Sequence, residues 1–149
     1  MSESSQYCTF YLDDLRFGID VQLVQEVLVH QHLTPVPLSA PVIRGLINLR
    51  GQIITAVDLR ECLGLPTAPE SMRPRNVVID THQGTLSFLV DRMGDVLQVS
   101  DDLFEPAPDT LPAPLSELIE GAYKLEEQLL LPLDLDQVVD RIVRLQETV

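Results

Sequence analysis

The chain has 149 residues, 45% of them hydrophobic, and carries 23 Asp and Glu against 10 Lys and Arg for a formal charge of −13. That length suits one compact domain or two very small subdomains leaning on each other, and the charge repels phosphate backbones and anionic lipid, which argues against nucleic acid and direct membrane insertion. The longest apolar runs, such as Leu129-Leu130-Leu131-Pro132-Leu133, are too short to span a bilayer, and the first five residues lack a basic, apolar leader, so the expected location is cytoplasmic.

From Cys8 onward, "CTFYLDDLRFGI" alternates apolar and polar residues on either side of Asp13-Asp14, which predicts two strands and a tight turn. A short helical or bent segment, "DVQLVQEVLV", follows, then His30 and His32 at a strand end and the proline-marked connection "TPVP". "LINL" and "QIITAV" form a second hairpin about Arg50-Gly51. Asp58 caps a short helix with Glu61 three residues on, and Gly64 and Pro66 stop it.

Residues 66–74, "PTAPESMRP", link this series to a second of the same kind. A hairpin in "RNVVIDTHQGTLSFLV" turns around His82 to Gly84, a bent segment "DRMGDVLQV" and "EPAP" follow, and "AYKL" with "QLLLPL" flank Glu126-Glu127. Asp134 caps the last helix, where Leu135, Val138, Val139, Ile142 and Leu145 fall at helical spacing and Arg141 and Arg144 sit at the end that favours positive charge.

Ten identities between the two series fall at two constant offsets. Phe17, Asp20, Pro35 and Pro37 recur 71 positions later as Phe88, Asp91, Pro106 and Pro108. Ile43, Gly45, Leu49, Gln52, Asp58 and Leu59 recur 76 positions later as Ile119, Gly121, Leu125, Gln128, Asp134 and Leu135, a longer loop around Asp109–Pro114 absorbing the difference. Preserved order favours internal duplication. About five short strands per unit predict two small barrels.

Sites for chemistry are scarce. Cys8 and Cys62 lack the spacing of a disulfide framework or zinc knuckle and read as buried thiols. There is no phosphate-cradling G-x-x-x-x-G-K-[ST] loop and no G-x-S-x-G elbow. An alternative reading, a small acidic metal-dependent enzyme, would use His30 and His32 on one strand face and needs a distant third ligand. More telling is Arg50 beside a glycine at a hairpin turn. Glu26, a glutamate between apolar neighbours in "LVQEVLV", is its candidate partner, because a partly covered carboxylate needs one. Such a pair would fasten the hairpin to the bent segment of the same barrel.

"FGIDVQLVQEVL", "PVIRGLINLRGQIITAVDLR", "SFLVDRMGDVLQV" and "SELIEGAYKLEEQLLLPLDLDQVV" resemble, in this order, the signature stretches of the CheW-like family of chemosensory adaptors. The resemblance implies a mainly β fold of two five-stranded SH3-like barrels packed together, with a few short helices and a C-terminal helix. It implies one domain over 5–146, with a first subdomain at about 14–65 plus parts of the termini and a second at about 75–135, and no appended receiver domain. It also implies a non-catalytic scaffold without a cofactor, held at receptor arrays. Its partners would be the regulatory domain of the histidine kinase CheA and the cytoplasmic tip of a methyl-accepting chemoreceptor, the tip helix lying in an apolar groove between the barrels. The matching positions are Val24, Glu26, Val27, Gly45, Asn48, Arg50, Gly51 and Val96. A module that fills rings between kinases without touching receptors is the remaining alternative.

Overall fold

The alternation around Asp13-Asp14 produces the expected hairpin, β1 (Ser4–Leu12) with β2 (Leu15–Asp20), and Leu12 stands opposite Leu15 across the turn. This is a computed structural model, and it describes residues 4–147. After a 3-10 turn at Val21–Leu23 come β3 (Val24–Leu28), β4 (Ile43–Leu49), β5 (Gln52–Asp58) and the one-turn helix α1 (Leu59–Leu63). The second series follows the same plan: β6 (Arg75–Thr81), β7 (Gly84–Val90), β8 (Arg92–Ser100), β9 (Phe104–Glu105), β10 (Ala122–Lys124), β11 (Leu129–Pro132) and α2 (Leu135–Glu147). Asp58 accepts the Glu61 N–H at 3.2 Å and Asp134 the Gln137 N–H at 3.3 Å, so both duplicated aspartates cap helices. Gly64 ends α1 with φ 75°, as a left-handed cap requires.

The strands form a six-stranded sheet, β8-β1-β2-β11-β10-β9, and a five-stranded sheet, β3-β6-β7-β5-β4. The chain is therefore mainly β with short helices and a C-terminal helix. Neither sheet is built from one half of the sequence. The β1–β2 hairpin joins the strands of the second series, β6–β7 joins those of the first, and residues 24–90 supply the five-stranded sheet. The 66–74 segment consequently connects two elements of one sheet, instead of joining one barrel to the other. The crossings occur at the 3-10 turn after Asp20 and at Asp91, two of the duplicated residues. A hairpin is a local structure, but the sheet it enters is decided by distant pairings, here β1 with β8 and β3 with β6, both antiparallel.

The exchange also builds the main core. Phe10, Leu12, Phe17 and Ile19 from the six-stranded sheet pack with Val77, Ile79, Phe88 and Val90 from the other, and α1 and α2 add Leu59, Cys62, Leu63, Val138 and Ile142. Phe17 and Phe88, matched in sequence, are both fully buried. Cys8 and Cys62 are free and buried, and burial pushes the Cys62 thiol up to about 12.

Each sheet curls so that its bent edge returns to the opposite edge. In the five-stranded sheet Thr34 bridges Leu46 of β4, and in the six-stranded sheet the stretch holding β8 and β9 pairs with β1 at one edge and β10 at the other. The duplicated glycines mark these closures: a Cβ on Gly45 would lie 2.7 Å from the Thr34 carbonyl oxygen, and one on Gly121 2.6 Å from that of Glu105. Two local expectations are corrected. "DRMGDVLQV" is strand, and "DVQLVQEVLV" is one 3-10 turn followed by the edge strand β3. His30 and His32 lie beyond the end of β3 in an irregular, exposed stretch, not on a strand face.

Candidate functional site

Leu49 pairs with Gln52, leaving Arg50 and Gly51 as a two-residue turn with φ of 52° and 86°. Two successive positive values match a type I′ turn, whose twist suits the strands it joins. Glycine takes this conformation freely, whereas a residue with a side chain is strained there by about 1–2 kcal/mol. Two interactions hold Arg50 in place. The Asn48 side-chain oxygen accepts the Gly51 N–H at 3.0 Å, and the Arg50 guanidinium donates to both carboxylate oxygens of Glu26, from Nη1 to Oε1 at 3.2 Å and from Nη2 to Oε2.

This forked pair ties β3, one edge of the five-stranded sheet, to the turn that ends β4, the other edge. Its position is the one expected from the sequence. The hydrogen bond from Arg50 holds the Glu26 carboxyl below its ordinary value, with partial desolvation pulling the other way. The Glu26 side chain is about a quarter exposed at 26% and Arg50 largely so at 69%. Beneath them Ile47, Ile54 and Val78 form a small separate core, with Leu28, Leu33 and Leu49 packed against it.

The six-stranded sheet contains the same small core. Tyr7, Tyr123 and Leu130 stand at the offsets that match Val78, Ile47 and Ile54, and Leu97 and Leu125 pack against them. Leu125 matches Leu49. Leu97, however, matches Glu26, and Glu126-Glu127 match Arg50-Gly51. One sheet end is thus completed by an apolar side chain and a plain acidic turn. The other replaces that leucine with a carboxylate and then supplies an arginine to satisfy it. Closure of the sheet alone does not call for the ion pair, since the matching sheet end does without it.

The structure brings Glu26, Asn48, Arg50 and Gly51 together at this rim. Val24 and Val27 lie on β3, Val24 half-buried against the main core and Val27 exposed, and Gly45 lies on β4 at the Thr34 bridge. Val96 belongs to the other sheet, on the edge strand β8 opposite Cys8, and is 56% exposed. Two apolar residues at the rim were not singled out from the sequence: Ile53, opposite Asn48 and 60% exposed, and Val29, just past β3 and 64% exposed. The hairpin register carries the signal for Ile53. A two-residue turn at 50–51 places Asn48 and Ile53 opposite each other, on the face away from Ile47 and Ile54.

Val27 on β3, Val29 just past it and Ile53 on β5 are exposed apolar side chains contributed by the same sheet and its immediate continuation. Among the described residues no group of three His, Cys, Asp or Glu side chains is arranged to hold a metal ion, and no helix is long and apolar enough to cross a membrane.

A family model described as the CheW-like domain matches residues 6–143. The chemotaxis protein CheW of Thermotoga maritima is 29% identical over 134 residues, covering 90% of this chain and 87% of that protein. The CheW of Bacillus subtilis is 31% identical over 132 residues, covering 89% and 85%. Among solved structures, the crystal structure of the scaffolding protein TtCheW from Thermoanaerobacter tengcongensis superposes with a TM-score of 0.77 at 25% identity, covering 89% of this chain and 90% of that one.

Proposed function

This chain belongs to the CheW-like family, whose members are non-catalytic chemotaxis scaffolds, and from that premise we propose which partners it couples and where. It is a coupling adaptor in chemosensory signalling. Its two partners are the regulatory domain of the histidine kinase CheA and the cytoplasmic tip of a methyl-accepting receptor, and it acts in the cytoplasm at receptor arrays. Residues 5–146 act as one domain, and the receptor and kinase surface includes Val24, Glu26, Val27, Gly45, Asn48, Arg50, Gly51 and Val96.

The observation that carries this reading is the asymmetry between the matched sheet ends. Glu26 and Arg50 occupy a place that Leu97 and Glu126 fill adequately elsewhere in the same molecule, so what sets them apart is what they present outward. A partner helix laid against Val27 and Ile53 gains apolar contact, while the guanidinium and carboxylate at the rim select orientation and charge. Such contacts are individually weak. Neighbours in an array raise their effective concentration, and a receptor state that alters the geometry of one contact shifts the population of the next.

Titrating the full chain against a receptor-tip fragment and against the isolated kinase regulatory domain tests this. Binding to both, each weakened by Arg50→Ala, is the expected result. Kinase binding with no measurable receptor binding would favour the ring-filling module instead.

A further inference from the structure

The duplication creates two equivalent clefts whose charges differ. The first, about 290 Å³, lies between the 66–74 segment and the end of β7, with Arg44, Asp58, Arg60 and Asp91 in its wall. Here the chain answers its own carboxylates. Arg60, 5% exposed, donates from Nε to Asp91 Oδ1 at 2.9 Å, from Nη2 to Asp91 Oδ2 at 2.5 Å and Asp13 Oδ1 at 2.6 Å, and from Nη1 to the Pro66 carbonyl at 2.9 Å. Arg44 approaches Asp58 at 3.7 Å.

The second cleft, about 390 Å³, occupies the matching place on the six-stranded sheet, and its wall includes Tyr7, Asp20, Leu23, Glu120, Asp134 and Asp136. Asp20 matches Asp91 and Asp134 matches Asp58, so both aspartates are kept. Their arginines are not: Glu120 stands where Arg44 does, and Asp136 where Arg60 does. Among the described residues no arginine or lysine forms an ion pair with Asp20, Glu120 or Asp134, and Asp136 meets only His82, 3.2 Å away, which also lies 3.8 Å from Asp140.

Asp20 and Asp134 each use Oδ1 on a backbone N–H, of Gln22 at 2.9 Å and Gln137 at 3.3 Å, which leaves the second oxygen of each for a further donor. Burial, then the charges of Asp134 and Asp20, push the Glu120 carboxyl above its ordinary value. An adjoining hollow of about 400 Å³ shares Ser5, Tyr7 and Glu120 with this cleft and brings in Phe104, which is 41% exposed.

We propose that the second cleft receives an arginine side chain from a partner protein, its guanidinium taking the place that Arg60 fills in the first. Asp91 and Asp58, which meet Arg60 and Arg44 in the first cleft, have counterparts in Asp20 and Asp134 that meet no arginine among the described residues, while Asp13 has none, Gly84 standing at its matching position. A planar fork matches two carboxylates better than an ammonium does, and the exposed Phe104 ring in the adjoining hollow gives its apolar neighbours a surface to lie on. This surface lies on the other sheet from the Glu26–Arg50 rim, so the proposal stands or falls separately from the assignment of that rim.

The test titrates the full chain, followed by amide NMR, with an acetylated Leu-Arg-Leu amide and with its citrulline counterpart, which keeps the shape and loses the charge. Saturable shifts at Tyr7, Leu23 and Glu120 are expected with the arginine peptide. Affinity should fall about tenfold or more for the citrulline peptide, and likewise for Asp20→Asn and for Glu120→Gln. Asp136→Arg, which restores an internal arginine, should abolish binding in a chain that still melts cooperatively; if that variant fails to fold, the other two carry the test. The proposal is overturned by equal binding of the two peptides, by binding that survives Asp20→Asn combined with Glu120→Gln, by no saturation up to about 10 mM, or by magnesium chloride reproducing the shifts at matched ionic strength.

Discussion

Replacing Gly45 by alanine strains the closure of the five-stranded sheet at one atom. Gly45 has φ 148°, and its added Cβ would sit 2.7 Å from the Thr34 carbonyl oxygen and 3.2 Å from Leu33 Cβ. That carbonyl accepts the Leu46 N–H at 2.8 Å, and the Thr34 N–H donates to the Leu46 carbonyl at 2.9 Å, so relieving the clash pulls at the bridge itself. Sparsely populated backbone costs about 1–3 kcal/mol, and losing one of the two bridge hydrogen bonds about 1 kcal/mol. Together these give a loss of about 2–4 kcal/mol, which in a chain of this size lowers the melting temperature by roughly 5–15 °C. Gly51→Ala is the control, since its φ is 86° but no atom lies within 4 Å of the added Cβ, leaving backbone strain alone. Calorimetry and urea titration of both variants would decide. A Gly45→Ala chain that melts within about 2 °C of the parent, or no lower than Gly51→Ala, would refute the reasoning.

Arg60→Leu strands Asp91, whose side chain is 11% exposed, and should destabilise the fold by about 3 kcal/mol in urea titration, with Arg60→Lys recovering only part because an ammonium cannot make the two-pronged bond. Glu120 has a folded-state pKa raised chiefly by burial, so its charge opposes folding once pH exceeds the ordinary carboxylate range. Glu120→Gln should therefore raise the melting temperature at pH 7, with the gain vanishing below about pH 4. Glu26 has the opposite sign. Its pKa is lowered, so the stabilisation it draws from Arg50 is present above the unfolded carboxylate value and is lost as pH falls through the folded one. The urea midpoints of Arg50→Ala and the parent should converge in acid and separate at neutrality.

Much of the fold is legible in the sequence because the duplicated residues do the same work twice. Phe17 and Phe88 fill the core, Gly45 and Gly121 admit a passing backbone, and Asp58 and Asp134 cap helices. The hairpin turns are local and could be read directly, and so could the Glu26–Arg50 pair, since a carboxylate among apolar neighbours needs a cation nearby. The exchange of hairpins between sheets was not legible, because alternation specifies a strand's buried face and not its neighbour. Val24, Val27 and Leu28 fall at helical spacing, yet β3 is an edge strand whose Val27 faces outward without a covering layer, so the period misleads. The matched clefts are not legible in the sequence either, because the sheet pairings decide that Arg44 and Arg60 share one cleft and Glu120 and Asp136 the other.

The most direct measurement is receptor-controlled phosphorylation in assemblies rebuilt from receptor fragments, kinase and the Arg50→Ala chain, with its fold checked by circular dichroism and melting. The predicted outcome is a kinase with its basal rate intact that no longer responds to receptor ligand. A folded Arg50→Ala chain supporting full ligand control would contradict the role given to the rim.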